Sequence, residues 1–379
     1  MHEQARASVY VHIPWCVAKC PYCDFNSHGL NGRQPVEDSY LEALVADIAW
    51  EAEQVGPHHI DTVFFGGGTP SLFAADSIAM ILEAIDGQFD LDPEAEITLE
   101  ANPGTAEAAR FAGYRRAGVN RLSIGVQSLD DAQLQRLGRI HSAAEARAAV
   151  AMARDAGFDN LNLDLMFALP EQTPAQAADD LAGVIDLAPE HISWYQLTLE
   201  PGTAFGRRPP PLPVEDDSVA MWEAGLGALA AAGYAQYEVS AHARDGRQCR
   251  HNLAYWHFAD YIGVGAGAHG KVAGQRRVRV KTPAAYMRHA GSRQIITESS
   301  MIKAEDIPFE YMMNRLRLNA PLSRRDYEAA TGLAWADLEP WLAPLDARGL
   351  VRADADGLLL TPDGSRHLDT VVGGFLPDA

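Results

Sequence analysis

Six short β-rich runs, separated by helix-like segments, constrain the fold of this chain more than any other feature. They lie at residues 8–13, 61–65, 96–101, 120–126, 160–166 and 191–197. The intervening segments, such as 38–54 and the alanine-rich 143–156, contain few helix-breaking residues. Strands that alternate with helices in this way form right-handed βαβ units around a parallel sheet. Because a closed TIM barrel needs eight such units, six of them predict an α/β fold built on an open, partial (β/α)6 barrel.

Polar residues follow these runs at the points where the strands should end. In parallel α/β folds the carboxyl ends of the strands meet at one edge, and ligands bind there. We therefore expect one binding site that gathers residues from several strands. The residues placed there by the sequence are Cys16, the run 66–69, Glu100, Gln127 and Asp164.

The alternation ends near residue 200, and the chain then changes character. The proline-rich stretch 201–217 could be a ligand for a Pro-binding module, but within a globular chain it is better interpreted as an exit loop. Short amphipathic helices and the hairpin-like "GLVRADADGLLLT" come last, and they predict a winged-helix-like α+β domain. The expected divisions are 1–200 for the barrel, 201–297 for an extension of it, and 298–379 for the C-terminal domain.

The charge of the chain argues against a nucleic-acid partner. It has 31 Lys+Arg and 51 Asp+Glu, a formal net charge of −20, which would repel phosphate backbones. Residues 300–379 are acidic as well, so a packing or lid role is favoured over DNA binding. We find no signal-peptide pattern and no apolar run of about 20 residues that could span a bilayer. We expect a soluble, cytoplasmic protein, peripheral to the inner membrane only through its partners.

Three of the four cysteines, Cys16, Cys20 and Cys23, have the spacing C-x3-C-x2-C. Four cysteines are too few for a disulfide scaffold in a chain of this length. A structural zinc site would need two separated pairs, and only the lone Cys249 is left. The spacing favours a 4Fe-4S cluster over a zinc site or a set of reactive thiols. Three cysteines leave one iron without a protein ligand, open to a substrate or cofactor.

The same motif, with Tyr22 before the third cysteine, is the signature of the radical S-adenosylmethionine superfamily. The chain resembles the anaerobic coproporphyrinogen III oxidase family over nearly its whole length. That resemblance implies that the open iron chelates the amino and carboxylate groups of S-adenosylmethionine. The stretches that carry it are "YVHIPWCVAKCPYCDFNSH", "FFGGGTPS", "LEANPGT", "NRLSIGVQS", "LGRIH" and "NLDLMFALP".

The resemblance also assigns residues to the S-adenosylmethionine site. Gly67, Gly68 and Thr69 fall where the family contacts the methionine moiety, and successive glycines let a backbone approach a ligand closely. Carboxylates can accept hydrogen bonds from ribose hydroxyls or an amino group, and arginine can pair with a carboxylate. The further residues implied by the family are Tyr10, Glu100, Gln127, Arg139 and Asp164. No catalytic residue is assigned.

In three features the chain resembles the heme-chaperone branch of this family, the HemW branch, more than the oxidase branch. Phe25 stands where the oxidase has a further cysteine, and the stretch before the cluster is shorter than in the oxidase. "HNLAYW", residues 251–256, matches the HNxxYW motif of the chaperones. The resemblance implies heme binding, with His251 as the expected axial ligand and Tyr255 and Trp256 beside the macrocycle.

Other ligands and readings of this region stay open at the level of sequence. Cys249 is a competing soft ligand. "GAGAHG", residues 265–270, fits a dinucleotide fingerprint, but no helix pattern follows it. His269 within it is interpreted as structural or near the porphyrin.

The sequence thus predicts a heme chaperone that carries a 4Fe-4S cluster and S-adenosylmethionine. Its expected partners are heme and acceptor hemoproteins, with membrane respiratory enzymes implied by the family. One alternative is an enzyme of the same fold that cleaves S-adenosylmethionine and decarboxylates coproporphyrinogen III. Another is a zinc-stabilised interaction protein. Catalytic cleavage of S-adenosylmethionine, covalent attachment of heme, and the choice between monomer and homodimer are left open.

Overall fold

A computed structural model describes residues 4–104 and 108–376 of the chain. The strands are β1 (Ala5–Ile13), β2 (Trp15–Cys16), β3 (His28–Gly29), β4 (His58–Gly67), β5 (Asp90–Ala101), β6 (Arg121–Gln127), β7 (Leu161–Phe167), β8 (His191–Gln196), β9 (Ala235–Gln236), β10 (Ala241–Ala243), β11 (Tyr261–Val264), β12 (His269–Val272), β13 (Gln275–Arg279), β14 (Ile296–Met301), β15 (Leu322–Ser323), β16 (Val351–Ala353) and β17 (Gly357–Leu360). The α-helices are α1 (Glu37–Val55), α2 (Ala75–Gln88), α3 (Phe111–Arg116), α4 (Asp131–Arg136), α5 (Ala143–Asp155), α6 (Pro174–Asp186), α7 (Ala204–Arg207), α8 (Glu215–Ala231), α9 (Arg250–Trp256), α10 (Pro283–His289), α11 (Ile307–Arg315), α12 (Arg324–Thr331), α13 (Glu339–Ala347), α14 (Pro362–Arg366) and α15 (Leu368–Gly373).

One large sheet organises the molecule, in the order β14-β13-β12-β11-β1-β4-β5-β6-β7-β8-β10-β9. Strands β1 and β4 to β8 are parallel, and they coincide with the six runs that the sequence predicts. The partial (β/α)6 architecture is therefore confirmed. Strand β11 adds to β1 in parallel, whereas β12 to β14 and β9 to β10 extend the two edges in antiparallel fashion.

Burial explains why the six parallel strands could be recognised in the sequence. Every residue of β6 is buried, and β7 has only one half-buried position. Strands covered on both faces carry continuous apolar runs. Capping boxes start the covering helices α5 and α6, where Ser142 pairs with Glu145 and Thr173 with Gln176.

A second hydrophobic core lies in the C-terminal part of the chain, around Tyr311, Tyr327 and Trp335. Helices α11 to α13 surround it together with the small antiparallel sheet β15-β17-β16. The predicted hairpin is present as β16 and β17. This part packs against helix α9 through Arg317, whose guanidinium lies 4.5 Å from the ring centre of Trp256. The expected domain boundaries themselves stay a prediction.

A buried ionic network fastens helix α1 to the strand extension, which is the part of the sheet formed by β11 to β14. The guanidinium of Arg279, fully buried on β13, donates to Asp47 at 3.2 Å and to Glu51 at 2.7 Å. Asp47 also accepts from the Tyr286 hydroxyl at 2.8 Å and from the backbone N–H of Gly265 at 3.0 Å. The network therefore ties helix α1 to residues 265–286, which lie more than 200 positions later in the sequence.

The proline-rich run connects β8 to α8 and contains the short helix α7. Among the described residues, no helix is both long and apolar enough to cross a membrane.

Candidate functional site

The loop between β1 and α1 carries the three clustered cysteines. Strands β2 and β3 pair in parallel and hold the two ends of this loop together. Cys16, Cys20 and Cys23 are half-buried free thiols, and the N–H of Cys23 donates to the carbonyl of Cys20 at 3.2 Å. All three line one cavity of about 430 Å³ at the carboxyl ends of the parallel strands. Burial raises the pKa of Cys16, a hydrogen bond with Thr69 opposes the shift, and the nearby Cys23 and Cys20 raise it further.

Arg139 brings a positive charge to this cysteine loop. One of its N–H groups lies 3.6 Å from the sulfur of Cys20, and the other nitrogen donates to Asn102 at 2.7 Å and to the carbonyl of Gly125 at 2.8 Å. The guanidinium therefore gives this sulfur a charged hydrogen-bond donor. Sequence reasoning found Arg139 but missed Asn102, which holds it in place.

Gly67 ends strand β4, and Gly68 follows it, directly against the cysteine loop. A Cβ on Gly68 would lie 2.5 Å from the carbonyl oxygen of Trp15, and one on Gly67 would lie 2.5 Å from the His12 ring. Gly67 also has a φ of 109°, a conformation that side chains disfavour. Thr69 continues the contact, because its N–H donates to Trp15 at 2.7 Å. The glycines are thus required for packing here, and their contact with a ligand stays a prediction.

Two half-buried carboxyl groups, Glu100 and Asp164, line the same cavity. Burial, and after it the charge of Asp164, raises the pKa of Glu100 to about 8, although a hydrogen bond from the Gly67 N–H opposes the shift. Burial likewise raises the pKa of Asp164, which accepts from Asn162 at 2.8 Å. Such a pair of acids gains stability when a cation lies beside it, so this wall suits a positively charged ligand.

Replacing Glu100 by glutamine is expected to change how stability depends on pH. The folded chain keeps a proton on Glu100 up to a pKa of about 8, whereas the unfolded chain releases it near 4.5. The free energy of unfolding contributed by this group therefore falls as the pH rises from about 5 to about 8, by up to about 1.4 kcal/mol per pH unit. Denaturant unfolding of both ligand-free chains across this range checks it. Equal pH slopes for wild type and Glu100→Gln would contradict the raised pKa.

Gln127 and Tyr10 complete the predicted set in different places. Gln127 lines the same cavity as the three cysteines, and its backbone φ is 68°. Its side-chain carbonyl accepts from the Tyr195 hydroxyl at 2.8 Å. Tyr195 had no signal in the sequence. Tyr10 bonds to His12 at 3.1 Å and lines the neighbouring, larger cavity. One cavity therefore collects every predicted cluster and S-adenosylmethionine residue except Tyr10.

The fourth cysteine takes no part in this cavity. Cys249 is fully buried, its thiol donates to Glu96 at 3.5 Å, and burial raises its pKa to about 12. A zinc site with four cysteines is therefore not assembled. Three thiols beside an open cavity fit a cluster that has one iron without a protein ligand.

The HNxxYW stretch forms helix α9, and Glu96 caps its first turn. The Glu96 carboxylate accepts from the N–H groups of Arg250 and His251, each at 3.1 Å. The His251 ring is buried, with Nδ1 2.7 Å from the Thr62 hydroxyl and Nε2 3.0 Å from the Tyr255 hydroxyl. Burial lowers the pKa of His251 to about 3. As the heme ligand it stays a prediction, and in this conformation both ring nitrogens already have partners.

A larger cavity of about 870 Å³ adjoins the first. Asp24, Phe25, Gly67 and Glu100 line both. The larger cavity lies between the cysteine loop, the end of α9, strands β12 and β13, and helix α11. Its aromatic residues are Tyr10, Phe25, Tyr255, Trp256, Phe258 and Tyr261, and its basic residues are Lys19, Lys271, Arg276 and Lys281.

Comparison with known proteins decides the family. Residues 10–182 match the model of the radical SAM superfamily, and residues 302–367 match that of the HemN C-terminal domain. The heme chaperone HemW of Haemophilus influenzae is 45% identical over 98% of both chains, and HemW of Escherichia coli is also 45% identical, again over 98% of both. The chain belongs to the HemW family. Coproporphyrinogen III oxidase (HemN) from Escherichia coli, a radical SAM enzyme, has the same fold, with a TM-score of 0.86 and 25% identity over 98% of this chain and 90% of that one.

In this HemW-family chain, each of the two family matches corresponds to one part of the fold. The radical SAM match covers the cysteine loop and the whole wall of the smaller cavity up to Asp164. The HemN C-terminal match covers helices α11 to α13 and the β16–β17 hairpin. Membership in the radical SAM superfamily implies a 4Fe-4S cluster and S-adenosylmethionine, and the donor set of the smaller cavity fits both.

Proposed function

We propose that this chain is a heme chaperone that binds heme in the larger cavity and transfers it to acceptor hemoproteins. The observation that carries the proposal is the adjoining cavity itself, whose walls combine flat aromatic side chains with basic groups. Its volume of about 870 Å³ lies within the range of roughly 300–1,000 Å³ that is usual for small-molecule and cofactor sites. Aromatic rings suit the macrocycle, and cations suit its propionates.

In this proposal the smaller cavity holds the 4Fe-4S cluster on Cys16, Cys20 and Cys23, with S-adenosylmethionine beside it. Gly67, Gly68 and Thr69 would face the methionine part of that ligand. The two acids Glu100 and Asp164 would face its positive charges, and Arg139 and Gln127 would hold its remaining polar groups. Phe25, which lines both cavities and is 59% exposed, would separate the two ligands.

The proposed setting is the cytoplasm, with acceptors among membrane respiratory enzymes reached by peripheral contact. The relatives' name, heme chaperone, supports heme as the cargo. With the proposed division at residues 200 and 297, the middle part, which includes α9, supplies about half of the residues that line the larger cavity.

A second candidate is the decarboxylation of coproporphyrinogen III, which the fold shared with HemN favours. Phe25 argues against it, because it occupies the position of the further cysteine that the oxidase pattern carries. The chaperone is therefore preferred.

The test uses anaerobically purified, cluster-loaded protein. We expect saturable binding of one heme per chain, followed by transfer to apomyoglobin as the probe acceptor, monitored by absorbance. Under reducing conditions with S-adenosylmethionine and coproporphyrinogen III, we expect no stoichiometric protoporphyrinogen. Failure to bind heme would overturn the proposal, and stoichiometric product would establish the oxidase instead.

A further inference from the structure

The larger cavity contains three histidines, and they differ in whether a ring nitrogen is available. His12 is buried, with Nδ1 3.1 Å from the Tyr10 hydroxyl and Nε2 2.9 Å from the carbonyl of Asn26. Nε2 of His28 is enclosed by protein, out of reach of a bulky macrocycle. His269 is exposed to the cavity, and within residues 4–104 and 108–376 its ring nitrogens form no hydrogen bond. His269 is therefore the imidazole that an iron could reach.

The other ligand types that heme accepts are mostly engaged. Heme iron takes His, Cys, Met or Tyr. The hydroxyls of Tyr10, Tyr255 and Tyr261 bond to His12, His251 and Arg276 respectively. The thioether of Met313, 41% exposed on α11, is the remaining alternative.

The backbone that carries His269 packs tightly against the neighbouring strand. A Cβ at Gly263 on β11 would lie 1.9 Å from the carbonyl oxygen of His269 on β12, so the two paired strands are in close contact here. Strand β12 thus holds the ring at a defined place on the cavity wall.

The four basic side chains of the larger cavity also differ in whether they are available to a ligand. The ammonium of Lys19 donates to the carbonyls of Phe25 and Ser27, and that of Lys271 donates to the carbonyl of Phe258 and to Asp260. Arg276 pairs with Glu310 on α11. Lys281 is exposed, and its ammonium forms no hydrogen bond or ion pair with the described part of the chain. It is the cation available to an anionic group of a ligand.

Asn26 connects these two residues to the cysteine loop. Its side-chain NH₂ donates to the carbonyl of Ala266 and to the carbonyl of Lys281, each at 2.9 Å. Asn26 lies only three residues after Cys23, so the loop that carries the cluster cysteines also braces the segments that carry His269 and Lys281.

We infer that His269 is the axial ligand of heme in the larger cavity and that Lys281 pairs with one of its propionates. The inference rests on the proposed heme-binding function. An axial ligand on an exposed wall suits cargo that must be given up, because an acceptor can reach the iron without unfolding a core. His251 has a different role in this inference. Its ring is buried and hydrogen-bonded through both nitrogens, and it holds the Tyr255 ring at the cavity wall.

Heme titration of cluster-loaded protein tests this, with wild type beside His269→Ala, His251→Gln, Met313→Leu, Lys281→Met and the exposed control His367→Ala. We expect His269→Ala to shift the Soret band and to weaken heme binding at least about tenfold, while His367→Ala matches wild type. Lys281→Met should weaken binding severalfold and leave the Soret band in place. Iron and sulfide assays, with circular dichroism, establish that each variant is folded and carries its cluster.

The outcomes separate the inference from the function on which it rests. Wild type that fails to bind heme overturns the proposed function, and the ligand assignment falls with it. Wild type that binds heme, with His269→Ala unchanged and the Soret band shifted in His251→Gln or Met313→Leu, overturns the assignment and leaves the chaperone function standing.

Discussion

Cys20→Ala is expected to abolish the iron-sulfur cluster. Wild type prepared without oxygen should hold about four iron and four acid-labile sulfide per chain, and the variant close to none. The reason is that only three thiols face the smaller cavity. A cluster held by three cysteines that loses one keeps just two protein ligands. Iron and sulfide analysis, with the absorbance of the reduced and oxidised protein, measures the effect.

The fourth cysteine provides a matched control. Cys249→Ser keeps a hydroxyl that can donate to Glu96 in place of the thiol, and residue 249 lies outside the cluster cavity. Its iron and sulfide content should equal that of wild type. Loss of the cluster in Cys249→Ser, with full retention in Cys20→Ala, would show that the three-cysteine loop is not the cluster site. Zinc without sulfide in wild type would point to the interaction-protein alternative.

The parts of the fold that could be predicted from sequence are those in which each strand carries its own signal. The strands β1 and β4 to β8 are covered on both faces, so each is an apolar run that stands out between helical segments. The edge strands gave no such signal. Strand β9 has two residues and β10 three, and β14 is mostly exposed, so only pairing with distant neighbours defines them. A strand that is defined only by its tertiary contacts has little local pattern in its sequence.

The candidate site divides in a similar way. Its cysteines, glycines and acids were predicted because they stand in motifs or at strand ends. Glu96, Asn102 and Tyr195 were missed, since each is a single polar residue whose role appears only when another element meets it. Glu96 caps α9 from about 150 residues away in the chain, a separation that no local pattern encodes. The position of His251 shows the converse, because its motif was found while its hydrogen-bonded burial could not be foreseen.

The cysteine loop forms part of the wall of both cavities, so the cluster site and the proposed heme site are structurally coupled. Phe25 lines both cavities, and Asn26 braces the segments on the far side of the larger one. Any rearrangement of the cysteine loop on binding a cluster would therefore move a wall of the proposed heme site. Heme affinity should accordingly depend on whether the cluster is present, which the cluster-free Cys20→Ala chain allows to be measured directly.

Arg279→Met is expected to destabilise the fold by about 3–5 kcal/mol, because it leaves Asp47 buried without its cation and leaves Glu51 paired with Arg277 alone. Such a loss is far larger than that expected for an exposed pair. Lys303→Ala, which breaks the surface pair with Glu305, is the matched control and should cost less than about 1 kcal/mol. Chemical denaturation of all variants at one pH, followed by circular dichroism, gives the comparison.

The same denaturation experiment shows whether the loss of stability in Arg279→Met arises from a buried carboxylate that has lost its cation. Adding Asp47→Asn to Arg279→Met removes the carboxylate that has lost its cation, so the double variant should be more stable than the sum of the single losses implies. If Arg279→Met costs no more than Lys303→Ala, the network does not hold α1 to β13. In that case the strand extension that carries His269 and Lys281 is positioned by its backbone pairing with β11 and β1 alone.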